Sequence, residues 1–142
     1  MLDDVEIRLF QPTDLEFIMK SWLHTYKYTS NFAKRIKHSI YYKWHHMVVT
    51  NILNRPNTKT YVAALKEDDD VIFGFLTTER MNEEQVIHFI YIKKDFRHMG
   101  LFRLLLEASN LDLDNAIFTH WTYSMDELTK KHQGLTYDPY RI

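Results

Sequence analysis

The chain has 142 residues, of which 45% are hydrophobic and 15% aromatic, with a formal net charge of -1 at pH 7. That length suits one domain with a substantial core, and the composition excludes a disordered chain. There is no cysteine, which removes disulfides, zinc–thiolate sites and cysteine nucleophiles, and the near-zero charge gives no general attraction to nucleic acid or anionic lipid. No apolar run nears the roughly 18 residues of a membrane span, and Met1-Leu2-Asp3-Asp4 lacks the pattern of a secretion signal, so a cytoplasmic location is expected.

Val5-Glu6-Ile7-Arg8-Leu9-Phe10 alternates as a strand. Pro12 and Thr13-x-x-Glu16 then form a capping-box signature ahead of a helical stripe of Leu15, Ile18, Met19 and Trp22. A second helical region is predicted over residues 32–53, broken near Ser39 and ended by Pro56, with Tyr41, Trp44, Val48 and Ile52 on its inner face. Residues 33–46 interleave cations with aromatics, a composition that can bind single-stranded nucleic acid. The helical spacing favours a plainer account, a core stripe with Lys34, Arg35 and Lys37 on a solvent face. His38, His45 and His46 have no Cys or carboxylate at a ligand spacing, so no metal site is expected.

Residues 60–65 read as a strand, 67–70 as an exposed turn and 71–80 as a strand. Met81-Asn82-Glu83-Glu84 then turns the chain into Val86-Ile87-His88-Phe89-Ile90-Tyr91-Ile92, which makes three antiparallel strands. A basic loop, Lys93-Lys94-Asp95-Phe96-Arg97-His98-Met99-Gly100, leads into a helix with Leu101, Leu104, Leu105 and Ala108 on one face. A helix that starts just past a glycine, beside basic residues, directs unpaired N–H groups and its positive dipole end at an anion. A strand over residues 116–122, a short helix over 126–132 and a strand over 135–140 complete the pattern, with no repeat or interdomain linker.

Arg97-His98-Met99-Gly100-Leu101-Phe102 resembles the Arg/Gln-x-x-Gly-x-Gly/Ala loop of motif A in the GCN5-related N-acetyltransferase (GNAT) family. Ile92 and Phe96 match the apolar positions before the Arg, whereas Phe102 stands where the family prefers a small residue. Gly74, in Val71-Ile72-Phe73-Gly74-Phe75-Leu76, and Gly134, in Gln133-Gly134-Leu135, match two further landmarks. The resemblance runs from Glu6 to about Tyr140. It implies an α/β fold, one acetyltransferase-like domain over residues 1–142, built on a splayed mixed β-sheet flanked by helices. The C-terminal end is short, so the usual seventh strand is expected to be very short or absent.

The resemblance also implies acetyl-coenzyme A as co-substrate and an amine of a small molecule or protein as acceptor. Backbone groups of Ile90, Tyr91 and Ile92 would line the pantetheine arm. Arg97, His98, Met99, Gly100, Leu101 and Phe102 would surround the pyrophosphate. The family's Glu on the fourth strand falls near Val86, which leaves His88 as candidate base with Glu79 in reserve. Its tyrosine falls at Lys130, which leaves Tyr123 as candidate acid, with Ser124 and His120 close in sequence. The second helical region would form part of the acceptor pocket, where its charge suits an acidic acceptor. Two alternatives stay open: a catalytically inactive binding protein of the same fold, and a nucleic-acid-binding module using residues 33–46. A homodimer is compatible with the acetyltransferase reading.

Overall fold

In the computed structural model, which describes residues 2–142, a single six-stranded sheet follows chain order. Strands β1 (Val5–Leu9), β2 (Thr58–Leu65), β3 (Asp68–Met81) and β4 (Glu84–Ile92) are successively antiparallel, while β5 (Ala116–Phe118) and β6 (Leu135–Tyr137) continue the sheet in parallel. Helices α1 (Leu15–Thr29) and α2 (His38–Leu53) bury one face, on which Trp22, Tyr26 and Val49 meet Val62, Phe75 and Phe89. Helices α3 (Leu101–Ser109) and α4 (Tyr123–Lys131) cover the other, where Leu101, Leu105 and Met125 meet Ala63, Leu76, Ile87 and Ile90. The two sets of sheet residues alternate along β2, as a sheet buried on both faces requires. No seventh strand occurs among the described residues.

Two backbone irregularities position the site. Between β3 and β4, Asn82 and Glu83 both take positive φ (50° and 72°), the conformation of a two-residue type I′ hairpin turn. This fixes the register until Thr78 pairs with Ile87 and Thr77 with Phe89, which leaves His88 as the extra residue of a β-bulge. Next to this bulge the sheet forks. β5 pairs with β4 only at Val86 and Ile87, the Thr119 amide donates to the Ile87 carbonyl at 3.1 Å, and beyond this point β4 runs on to Ile92 paired with β3 alone.

Several expectations are corrected. The strand predicted over residues 116–122 ends at Phe118, because Thr119 and His120 turn into the core and Thr122 caps α4, its Oγ1 accepting the Met125 amide at 3.3 Å. The capping interaction before α1 is made by Gln11 and Asp14 in place of Thr13 and Glu16. Asp14 accepts the Gln11 amide at 2.8 Å and takes a bidentate pair from Arg8 at 2.7 and 2.9 Å. The tight turn before β3 is confined to Lys66 and Glu67, since Leu65 already pairs with Asp68. On α3, Ser109 is buried and Ala108 exposed.

The predicted helix over residues 32–53 is interrupted earlier than Ser39. A 3₁₀ turn, Ala33–Arg35, precedes α2, and Ile36 and Lys37 separate the two. The buried Lys27 ammonium holds this connection by donating to the carbonyls of Ala33 (3.0 Å), Lys34 (3.3 Å) and Ile36 (2.5 Å). The inner face of α2 is also turned by one residue. Tyr41, His45, Val49 and Ile52 are buried, whereas Trp44 is 56% exposed. A stripe at 44 and 48 and one at 45 and 49 have the same helical period, and a polar partner for His45 in the core selects the second.

Candidate active site

A cleft of about 260 Å³ opens where β4 outruns β5, walled by Ile90 and Ile92, by Arg97, Gly100 and Phe102, and across from them by Ser124, Glu127 and Lys131 of α4. The loop at its end is shaped by two left-handed residues, His98 (φ 64°) and Gly100 (φ 88°), the second in a region that glycine enters without penalty. Arg97 folds back, its Nε donating to the Ile92 carbonyl at 3.0 Å. The amides of residues 98–103 meet no acceptor among the described residues, and the first α3 turn closes only at Leu104 N to Gly100 O, 3.2 Å. Free N–H groups at the positive end of a helix, with an arginine alongside, suit a phosphate group. Phe102 is half-buried against the core on that face while its edge lines the cleft.

On the opposite face, the bulge turns His88 toward α1 and α2, into a chain of buried polar groups. Arg55 Nη1 donates to Glu79 Oε1 at 3.1 Å, and His88 Nε2 donates to the same oxygen at 2.8 Å. His88 Nδ1 lies 3.0 Å from Thr119 Oγ1, which lies 2.8 Å from His120 Nδ1, and His120 Nε2 lies 2.8 Å from Nε2 of His45. Burial pushes His45 down to about 4 and His120 well below the usual histidine range. It lowers His88 as well, although Glu79 pulls the other way. Burial would raise Glu79, but hydrogen bonds from His88 and Arg55 hold it below the usual carboxylate range.

At neutral pH these shifts leave a carboxylate and neutral rings, and the proton positions then follow in sequence. A carboxylate only accepts, so His88 carries its proton on Nε2 and its bare Nδ1 must accept from the Thr119 hydroxyl. Thr119 in turn accepts from His120 Nδ1–H. The bare Nε2 of His120 accepts from His45 Nε2–H, and Nδ1 of His45 is left as a free lone pair.

Two further hollows bear on the site. One, of about 480 Å³, lies between the end of α1 and the start of α4 and is lined by Ser30, Phe32, Trp121, Tyr123 and Tyr137, with Asp126 accepting the Trp121 indole N–H at 3.2 Å. The other is an apolar groove of about 260 Å³ formed by Phe32, Ile36, Tyr41 and Trp44, with His45 in its wall. Phe32 borders both.

The structure thus brings His88 and Glu79 into contact and sets Ile90, Ile92, Arg97, His98, Gly100, Leu101 and Phe102 around one cleft. Tyr123 is 63% exposed and faces the 480 Å³ hollow, while Ser124, the next residue, lines the cleft at the fork. Lys34, Arg35 and Lys37 border none of these hollows, and Asp126 is the formally charged residue of the 480 Å³ one. Sequence reasoning passed over Arg55, Thr119 and the link from His120 to His45. The signal that could have found them was the Thr119-His120 pair directly after a strand, with His45 one helical turn from a buried Tyr41. Among the described residues no group of His, Asp and Glu is arranged to hold a metal ion, and no helix is long and apolar enough to cross a membrane.

No family model matches the chain, and no curated protein matches it by sequence. Solved structures do match. The PaiA N-acetyltransferase of Thermoplasma acidophilum, in complex with coenzyme A, is 18% identical, with 75% of this chain and 69% of that one covered and a TM-score of 0.55. An acetyltransferase from Vibrio fischeri is 21% identical over 74% of this chain and 83% of its own, with a TM-score of 0.53. A GNAT-family acetyltransferase from Staphylococcus aureus Mu50 is 14% identical over 73% and 62%, with a TM-score of 0.52. With the forked sheet, the bulged fourth strand and the left-handed glycine before α3, the chain has the fold of the GNAT acetyltransferases.

Proposed function

We propose that the protein transfers an acetyl group from acetyl-coenzyme A to an amine. The observation that carries this reading is the fork, where an open strand edge leads into a loop whose amides lack partners at the head of α3. Those amides and Arg97 hold the pyrophosphate of the co-substrate. The pantetheine arm lies along β4 and bonds the backbone of Ile90, Tyr91 and Ile92 as an added strand would. One N–H of that edge polarises the thioester carbonyl as charge builds on its oxygen. Coenzyme A in the Thermoplasma neighbour supports the same reading.

The acceptor occupies the 480 Å³ hollow, on the other side of the turn that carries Tyr123 and Ser124. Ser124, which lines the cleft, donates to the departing thiolate, while Tyr123 forms acceptor wall. His88 serves as proton acceptor without touching the amine, because Glu79 and Thr119 already take both ring nitrogens.

Calorimetry with millimolar acetyl-coenzyme A is expected to show binding. Gly100→Glu should abolish it, by forcing a side chain into a left-handed conformation and setting a negative charge among phosphate-binding amides, with the circular dichroism spectrum retained. A native protein that gives neither heat nor a thermal shift with the ligand would remove this reading.

A further inference from the structure

His88 is 1% exposed and His120 likewise, Thr119 is fully buried, and every ring nitrogen of the two histidines is hydrogen-bonded. A proton therefore has no direct way to His88 from a bound molecule. Arg55, at the far end, is a permanent cation and neither gives nor takes one. The lone pair that remains is Nδ1 of His45, which has no hydrogen-bond partner among the described residues and is not sealed from solvent, in the wall of the apolar groove. We propose that Glu79, His88, Thr119, His120 and His45 form a proton relay whose port is Nδ1 of His45, so that His45 takes the acceptor's proton and His88 holds the charge beside Glu79. The catalytic part of this inference rests on the acetyl-transfer reading; the relay itself does not.

The transfers balance. An ammonium acceptor in the 480 Å³ hollow gives one proton to His45 Nδ1 through water that passes Phe32, which borders both that hollow and the groove. His45 passes its Nε2 proton to His120, His120 passes its Nδ1 proton to the Thr119 oxygen, and the Thr119 hydroxyl proton moves to His88 Nδ1. His45 and His120 end neutral with their tautomers exchanged, and His88 ends as an imidazolium against a carboxylate. The freed amine attacks the thioester carbon, the C–N bond forms, the C–S bond breaks, and the surplus proton on nitrogen goes to the thiolate. The reverse shift along the same bonds resets the chain and returns the stored proton to solvent.

The surroundings favour charge at His88 over the other two rings. Glu79, from β3, is the negative group in contact with the chain, and Arg55, after α2, is bonded to that carboxylate and not to a ring. Tyr26 of α1 and Tyr41 of α2, which pack on His45, are neutral phenols, Tyr26 pushed up to about 12 and Tyr41 further by burial. His120 meets Trp22, Tyr26, Phe89, His45 and Thr119, and none of these offers it a negative charge.

Two measurements decide the matter. Long-range ¹⁵N–¹H NMR of the imidazoles, on protein without acetyl-coenzyme A, should show at pH 8 His45 protonated on Nε2, His120 on Nδ1 and His88 on Nε2; any other set overturns the relay. On acidification, His88 should become the cation in the same step in which His45 and His120 exchange tautomers. A His45 that charges alone overturns it too, whatever the activity. In turnover assays, His45→Phe keeps a ring stacked on Tyr41 and should lower kcat by about 10²-fold, the scale of general-base catalysis, with the acidic limb of the pH profile lost and acetyl-coenzyme A affinity unchanged. Retention of both kcat and that limb would refute the port, while failure to bind acetyl-coenzyme A would refute the acetyl-transfer reading and leave the NMR result to judge the relay.

Discussion

At the scale of single residues, the order of protons along the buried chain depends on Glu79 being an acceptor only. Glu79→Gln presents an amide that can donate, so the His88 tautomer loses its anchor, and the charge that favours protonated His88 is gone. His88 should then titrate at still lower pH than in the native protein, which an NMR titration of its ring checks directly; an unchanged titration would show that the 2.8 Å contact is not made in solution. Arg55 loses an ionic partner in the same variant. The expected cost in stability is roughly 1–3 kcal/mol, as for a group left without its hydrogen-bond partner.

At the scale of elements, α1 begins where Arg8, Asp14 and the Gln11 amide meet. Asp14 is almost fully enclosed, and although burial works to raise it, Arg8 and the Gln11 amide keep it below the usual carboxylate range. Asp14→Ala removes the bidentate partner of Arg8, whose side chain is only 12% exposed, and, with Asp69 and Glu6 still nearby, should cost about 3 kcal/mol in urea unfolding. The stretch before α2 predicts the opposite. Lys34, Arg35 and Lys37 are exposed and form no ion pairs among the described residues, so changing all three to Gln should alter stability by less than about 0.5 kcal/mol. Filter binding should likewise detect no micromolar, salt-sensitive oligonucleotide affinity, with or without the substitutions.

How much could be read in advance also divides by element. The loop before α3 is local: Arg97, the left-handed Gly100 and the apolar helix behind them are consecutive, so spacing alone reveals both the turn and its exposed amides. The hairpin strands are legible for the same reason. The histidine chain is not, since it depends on an extra residue at position 88, which shifts the pairing of Thr77 and Thr78 and brings Glu79 and Thr119 to either side of one ring. Nothing in the hydrophobic period distinguishes Trp44 from His45 as the inward residue, because a buried histidine carries the helix stripe only when a distant partner satisfies it. Tyr123 and Ser124 diverge for a simpler reason, that adjacent positions at a helix start face different hollows.

At the scale of the whole molecule, enclosing neutral histidines ties folding to pH. His45, His88 and His120 all sit below their ordinary range in the folded chain, so in mild acid the unfolded chain binds more protons than the folded one. Stability is therefore complete above the unfolded histidine value near 6.5 and declines as pH falls from there toward about 4. His45 alone, lowered to about 4, accounts for roughly 3 kcal/mol of that loss. Urea midpoints at pH 7.5, 6, 5 and 4.5 should fall steadily, and His45→Phe should flatten the curve; a native midpoint constant over this range would contradict the neutral-ring assignment.

The seat of Lys27 has a chemical consequence. Its amine is wrapped by three carbonyls beneath the connection to α2, out of reach of any electrophile that labels the exposed lysines. Treated with an acylating reagent such as acetic anhydride, the folded protein should acquire modifications at Lys34, Lys37 and Lys43 and none at Lys27. Acylation at Lys27 would require the segment over it to lift away, so mass spectrometry of that one peptide measures how often this connection opens.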